Sequence, residues 1–155
     1  MEETFGEDPV LVAAMGAAMV RGLRFPVLKH FGAYGVGLAG QNGAAASVGR
    51  RELLQDYLHP FRAAIEAGAQ SVMTSYNAVD GIPSTANPWL LRDVLRDRWG
   101  FRGLVIADLY AINVLHNTLH TAPSLADAAR QALDACVDID LGALAYPTRS
   151  GRAHV

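Results

Sequence analysis

The sequence predicts an α/β fold built on a parallel sheet, with about four strand–helix units. Three observations predict it. Apolar stripes at helical spacing alternate with short apolar runs along the chain. Gly, Pro or Asp bounds most of these runs, as strands require. Each run also ends in polar or ionisable residues, Lys29-His30, Tyr76-Asn77, Asp108 and Asp138/Asp140, and the carboxyl ends of parallel strands gather on one rim.

The first helix is expected from Pro9, with Asp8 as its N-cap, because proline suits a first helical turn. Val10, Leu11, Met15, Ala18, Met19 and Leu23 form its apolar stripe. Phe25-Pro26-Val27-Leu28 reads as a strand ending in Lys29-His30-Phe31. The Gly-rich stretch from Gly32 to Gly43 is a loop, long enough to suggest function. A second helix is expected over Gly49 to Ala67, broken or kinked at Pro60 and stopped by Gly68. Its buried face is Leu53, Leu54, Tyr57, Leu58, Phe61 and Ile65.

Ser71 to Asn77 is the next strand, followed by a turn around Asp80-Gly81-Ile82-Pro83. Asn87 and Pro88 open a third helix, buried through Leu90, Leu91, Val94 and Leu95, that ends at Trp99-Gly100. Leu104 to Ala107 is a continuous apolar run closed by Asp108, which suits a parallel strand covered on both sides. Ser124 caps a fourth helix from Leu125 to Ala135, and Val137 to Leu141 is the last strand. One domain over residues 1–146 and a tail over 147–155 account for the whole chain. Periodicity alone leaves two architectures open, a doubly wound open sheet or part of a (β/α) barrel. No GxGxxG or GxxxxGK[ST] follows a strand, so the usual nucleotide signatures are missing.

The chain has 155 residues, 51% of them hydrophobic, which suffices for one core. A complete (β/α) barrel typically takes about 250 residues. A net charge of −2, with scattered Lys and Arg, points to neither nucleic acid nor an anionic membrane as partner. No apolar run reaches the ~18 residues of a membrane span, and no signal peptide is visible at the N-terminus. The compartment is therefore not readable. Cys136 has no partner for a disulfide and reads as a small buried hydrophobe. His116 and His120, four apart, suit a metal pair only on a stable helix, which Pro123 argues against. No metal or cofactor is expected.

A carboxylate directly after a four-residue apolar run is costly to bury unpaired, so Asp108 needs partners or an open cleft. Lys29 and His30, at a neighbouring strand end, are candidates. Two readings of Asp108 stand side by side here: a helix cap or turn former, and a functional carboxylate. Tyr76 and Met73 likewise read as rim packing or as pocket lining.

Several motifs then carry a resemblance. Glu3 to Pro9 resembles the ETFGEDP stretch of family 3 glycoside hydrolases of β-glucosidase and β-xylosidase type. Lys29-His30-Phe31 is similar to that family's KHF strand end, and Arg51 to Phe61 to its REL…YLxPF helix. Ser71 to Asn77, with Asp80 to Pro83 and Trp89 to Leu91, resembles SVMxSYNxxDGxP…WLL. Trp99 to Asp108 resembles WGFxGxVxSD, and Ala128 to Asp138 resembles AAxxAL…AGVD. Order and spacing hold from Glu2 to about Tyr146.

The resemblance implies a partial TIM-type (β/α) barrel and a retaining, double-displacement hydrolase of β-linked glucosides or xylosides, active in carbohydrate metabolism. It implies Asp108 as the nucleophile. Lys29, His30, Met73 and Tyr76 become substrate-binding residues, and the partner is a β-linked oligosaccharide or glycoside. The family's barrel begins earlier, by about three β/α units, and a following domain usually supplies the acid/base. No acid/base residue can be named in this sequence. The isolated chain is accordingly expected to be weakly active or inactive. A second reading is a non-catalytic sugar-binding or interaction module derived from such a barrel. Open barrel edges make self-association an expectation. Three local departures stand out: Leu109 where an aromatic usually follows the nucleophile, Gly43-Ala44-Ala45 in place of Trp-Ala-Pro, and Cys136 in place of glycine.

Overall fold

The computed structural model describes residues 4–142 and 144–146. The expected tail, 147–155, lies outside the described residues, as does Glu3 of the first motif. Helix α1 spans Pro9–Gly22, and Asp8 caps it by accepting from the amides of Val10 and Leu11. Strand β1 (Val27–Phe31) follows, with a cis Lys29–His30 peptide. The Gly-rich loop carries two 3₁₀ turns, Tyr34–Val36 and Leu38–Gly40. The expected second helix is divided. Helix α2 (Arg50–Glu52) runs into a π-helical turn (Leu53–Tyr57), and α3 (His59–Glu66) starts afresh with Pro60 in its first turn. Pro60 thus opens a helix rather than kinking one, because its missing N–H costs nothing there.

Strand β2 (Ser71–Thr74) is shorter than the sequence suggested. Ser75, Tyr76 and Asn77 leave the ladder and lead into a small hairpin of β3 (Ala78–Val79) and β4 (Ile82–Pro83). Its turn has Asp80 and Gly81 both at positive φ, the pattern of a two-residue hairpin loop. A π-helix over Trp89–Arg98 follows, with Asn87 Oδ1 accepting from the Leu90 amide at 3.1 Å. Strand β5 (Leu104–Ile106) precedes two helices, α4 (Ala111–Asn117) and α5 (Leu125–Asp134). Helix α4 is not anticipated by the sequence pattern. Ser124 caps α5 as expected, accepting from the Asp127 amide.

The sheet has the order β1-β2-β5, all parallel. Ile139 adds a fourth parallel position through a bridge to Ile106. Mixed helix and strand around a parallel sheet is the expected partial (β/α) barrel. Register fixes its two faces. Val27, Ser71 and Leu104 stand in one row and Met73, Ile106 and Ile139 in the next, both on the inner side. Leu28, Val72 and Val105 point the other way, to the helices. Val72 and Val105 are fully buried there, among Leu58, Leu91, Leu95 and Ile112. Burying each such leucine contributes about 2 kcal/mol. Gly103 is required where β5 starts, since a Cβ would lie 2.1 Å from the Gln70 carbonyl oxygen.

The stripe expected to bury α1 does not. Val10, Leu11, Met15, Met19 and Leu23 are exposed, and only Ala13 and Val20 are buried. Helix α1 meets its neighbours through small residues, with Val20 packed beside Ala64 and Ala69. Cys136 also departs from expectation. It is half-buried, lies past the end of α5 at φ 72°, and takes the Arg92 side chain on its sulfur.

Candidate active site

Three strand ends build the rim. Phe31 closes β1 and is wedged edge-on against Phe61 (5.2 Å) and Trp99 (5.9 Å). That wedge fixes the position of His30 one residue earlier. Gly32 then turns at φ 124°, where a Cβ would meet the Ser84 hydroxyl at 2.8 Å. Asn77 donates from Nδ2 to the Gly32 carbonyl at 2.8 Å, tying the end of β2 to the end of β1. The Ser84 hydroxyl donates to the Asn77 carbonyl at 2.7 Å, and Thr74 and Thr85 share a hydroxyl bond at 2.9 Å. Ser75 also donates to Asn77 Oδ1. This buried polar layer is satisfied by its own members, so it can hold the rim rigid.

Asp108 lies two residues beyond β5 and, by alternation from Leu104 and Ile106, faces the inner side. It is buried, at 8% exposure. Its Oδ1 accepts from the Leu109 amide at 2.7 Å, and its backbone carbonyl accepts from Ala111 at the start of α4. Its Oδ2 lies 3.3 Å from His30 Nε2. With a proton on Nε2 the imidazole donates to the carboxylate and holds it toward β1. Tyr76 completes the group: its hydroxyl donates to the Leu109 carbonyl at 2.7 Å. Burial, and then the charge of Asp108 and a hydrogen bond with it, push the Tyr76 phenol up to about 12. The phenol is therefore a donor throughout the physiological range.

Asp108, His30 and Tyr76 are thus brought together. Met73 is half-buried on β2, paired with Ile106 just below Asp108 on the same inner face. Lys29 is exposed on β1, next to His30. Asp138 does not join the rim. It binds Arg96 at 2.6 Å and the Val105 amide at 2.7 Å, at the amino end of the strands. Arg96 also donates to the carbonyls of Phe101 and Gly103 there. Asp140 turns to the loop after it and accepts from the amides of Ala145 and Tyr146. The polar residues expected at the fourth strand end thus turn to backbone amides, Asp140 through Oδ2 alone, its buried Oδ1 having no hydrogen-bond partner. His116 and His120 share no helix, since α4 ends at Asn117, and His116 Nδ1 faces the Ala122 carbonyl at 3.0 Å.

Tyr34 escaped the sequence reading. Its ring lies 4.4 Å from the His30 ring, tilted by 38°, and it stands close enough to Tyr76 to help raise that phenol. An aromatic four residues past His30, in a loop otherwise made of Gly and Ala, was the available signal. Chemically, the group presents a buried carboxylate, an imidazole and a phenol converging at the mouth of an open sheet. That set can bind hydroxyl-rich molecules and offer a nucleophilic oxygen.

The family model described as glycosyl hydrolase family 3 N terminal domain matches residues 1–149. The chain is 39% identical over 151 residues to a periplasmic β-glucosidase of Salmonella typhimurium, covering 90% of this chain and 19% of that protein. It is 38% identical over 154 residues to a β-xylosidase of Formosa agariphila, covering 91% of this chain and 21% of that one. A β-glucosidase of Listeria innocua, solved in complex with glucose, superposes with a TM-score of 0.93 at 39% identity, over 97% of this chain and 22% of that one. The chain therefore spans about a fifth of the length of the relatives it matches.

Proposed function

The chain belongs to glycosyl hydrolase family 3, and from that premise we propose that residues 4–146 form the nucleophile-bearing part of a retaining β-glycosidase barrel acting on β-linked glucosides or xylosides. In this reading Asp108 Oδ2 attacks the anomeric carbon as the glycosidic C–O bond breaks. The leaving oxygen takes a proton from a carboxylic acid outside the described residues. Water then attacks the same carbon as the Asp108–carbon bond breaks, giving a proton back to that outside carboxylate, so the sugar is released and both carboxyl groups return to their starting states. His30 and Lys29 hydrogen-bond sugar hydroxyls, and Tyr76 steadies the strand end that carries the nucleophile. Met73 lines the floor. Contacts that tighten on the 2-hydroxyl in the transition state would supply several kcal/mol.

The observation that carries the proposal is the 3.3 Å approach of His30 Nε2 to Asp108 Oδ2 on a parallel-strand rim. A sugar-binding module without turnover is the second reading, favoured by Leu109, which is half-exposed and gives no stacking surface beside the carboxylate. The two are separable because an activated leaving group needs no acid. We expect slow covalent labelling of Asp108 by a dinitrophenyl 2-deoxy-2-fluoro-β-glucoside, read as an intact-mass shift and located by peptide mapping. Ordinary aryl β-glucosides should turn over little or not at all. Labelling that persists in Asp108→Ala, or falls on another residue, rejects the nucleophile assignment. Sugar binding with no labelling supports the module.

A further inference from the structure

Tyr34 opens the first turn of the Gly-rich loop, four residues past His30. The backbone between them is bent so that the two rings meet. Phe31 is fully buried against Phe61 and Trp99. Gly32 then adopts φ 124° and Ala33 φ 57°, two consecutive residues in the left-handed half of the map. Side chains with a Cβ rarely take the conformation of Ala33, and at 3% exposure its surroundings hold it there. The reversal turns the chain back onto β1, and the Tyr34 ring comes to 4.4 Å from the His30 ring with a 38° tilt. A backbone outlier of this kind points to function when it places a side chain at a site.

The turn that presents Tyr34 is itself held. The Val36 amide donates to the Ala33 carbonyl at 3.3 Å and closes it. Gly37 bridges Ala46, and Ala46 bridges Val79 of β3. The Ala46 amide donates to the Ala78 carbonyl at 2.8 Å. A Cβ on Gly37 would lie 2.9 Å from the Ala44 carbonyl oxygen, so the loop packs closely on itself. Asn77, which leads into the β3–β4 hairpin, donates to the Gly32 carbonyl. Tyr34 is therefore mounted on the same buried polar layer that holds the strand ends. It also stands close enough to Tyr76 to act on that phenol electrostatically.

A ring held in this way matters to His30. The terminal torsion of a histidine is broad and roughly two-fold, so the choice of rotamer does not set the plane of the imidazole. The Nε2 contact with Asp108 Oδ2, at 3.3 Å, is longer than a well-formed N–H···O bond and constrains that plane weakly. A tilted aromatic neighbour constrains it more, because turning the imidazole would break the ring contact. We propose that Tyr34 is a positioning residue: its ring braces one face of the His30 imidazole and so keeps Nε2 directed at the Asp108 carboxylate. Tyr34 thus acts through His30 rather than on a sugar. Its effect on rate rests on the reading of Asp108 as nucleophile, whereas the brace itself does not.

Imidazole NMR tests the brace directly, with the His30 signals assigned by their loss in His30→Gln. In Tyr34→Leu the His30 Cε1 proton should lose the ring-current displacement of its aromatic neighbour, and Nε2 should move toward the averaged shift of a free imidazole. Tyr34→Phe keeps the ring and should hold both signals near their wild-type positions. Far-UV circular dichroism checks the fold of each variant, and Tyr34→Met, a flexible side chain that fills gaps, replaces Tyr34→Leu should that one unfold. His30 signals unmoved in the ring-less variant overturn the proposal. So does Tyr34→Phe moving them as far as Tyr34→Leu. Labelling of Asp108 by the dinitrophenyl 2-deoxy-2-fluoro-β-glucoside gives the second readout. Tyr34→Leu should slow it about tenfold or more, as a displaced group beside the reacting atoms does, and Tyr34→Phe should recover most of the loss. Added to His30→Gln, Tyr34→Leu should slow labelling no further, whereas independent losses multiply and would overturn the proposal. An unlabelled wild type defeats the nucleophile reading instead, and the imidazole spectra then uphold or overturn the brace on their own.

Discussion

Asp108 and Asp138 stand at opposite ends of neighbouring strands, and their surroundings invert the usual rule for buried charge. Asp138 has the more open side chain, at 41% exposure, yet it is matched by a guanidinium at 2.6 Å and an amide at 2.7 Å. Asp108 has only 12% of its side chain open and also accepts from an amide at 2.7 Å, yet its contact with its side-chain partner His30 is 3.3 Å long. Structure alone would place the tighter pairing where burial is deeper, because desolvation costs most there. The molecule does the opposite. The amino end of the sheet holds its carboxylate in a short pair with a guanidinium, and the rim holds one in a longer contact with an imidazole.

The contrast breaks first on stability. Asp138→Ala leaves the Arg96 guanidinium and the Val105 amide without their acceptor. After allowing for the solvent around this half-open pair, the loss should be about 1–2 kcal/mol. Asp108→Ala should cost the same fold less, about 0.5–1 kcal/mol, because it frees the Leu109 amide but only a longer contact with His30. Urea unfolding followed by circular dichroism measures both. Equal losses would mean that Asp108 is simply another structural anchor.

Next in size is Cys136, two residues before Asp138. It holds φ 72°, a conformation that burdens any side chain, at the position where the resembled family has glycine. Cys136→Gly removes that burden but loosens the unfolded chain and the contact with Arg92. The net gain should be about 0.5–1 kcal/mol. Because this end of the sheet is structural, labelling at Asp108 should not change. An altered labelling rate would show that the two ends are coupled.

Which parts of this were legible in sequence follows from what local pattern encodes. Caps and turns were, because Asp8, Asn87, Ser124 and Asp80-Gly81 act on backbone atoms two or three residues away. The convergence of Asp108, His30 and Tyr76 was expected from strand ends and motif order. Asp138 was misplaced because a strand reduced to one bridge does not reveal which of its polar residues lies at which end. The α1 stripe is apolar at helical spacing whether or not anything covers it, so its exposure could not be read. Helix α4 was missed because it lasts seven residues, too few for a periodic signal. Tyr34 reaches His30 through a loop, where no periodicity applies.

The finest test of the rim concerns one proton. The Tyr76 phenol is raised from 10.0 to about 12, by burial first and then by Asp108. Below pH 10 the phenol is protonated in both the folded and the unfolded chain, and its contribution to stability is fully present. Between pH 10 and about 12 the unfolded chain has released this proton while the folded chain retains it. The folded state then binds more protons, so stability falls as pH rises through that window. Tyr76→Phe removes the group, and the decline over that window should become shallower. The variant also loses the hydroxyl bond to the Leu109 carbonyl, a constant cost of about 1 kcal/mol that is independent of pH below the window. Absorbance titration near 295 nm offers a second readout, in which the variant should lack the last-titrating phenol. Asp108→Asn keeps Tyr76 but removes the neighbouring charge, and should shift that last phenol downward. An unchanged titration in Asp108→Asn would mean that the carboxylate and the phenol do not share the rim, and the grouping of Asp108 with Tyr76 would fail with it.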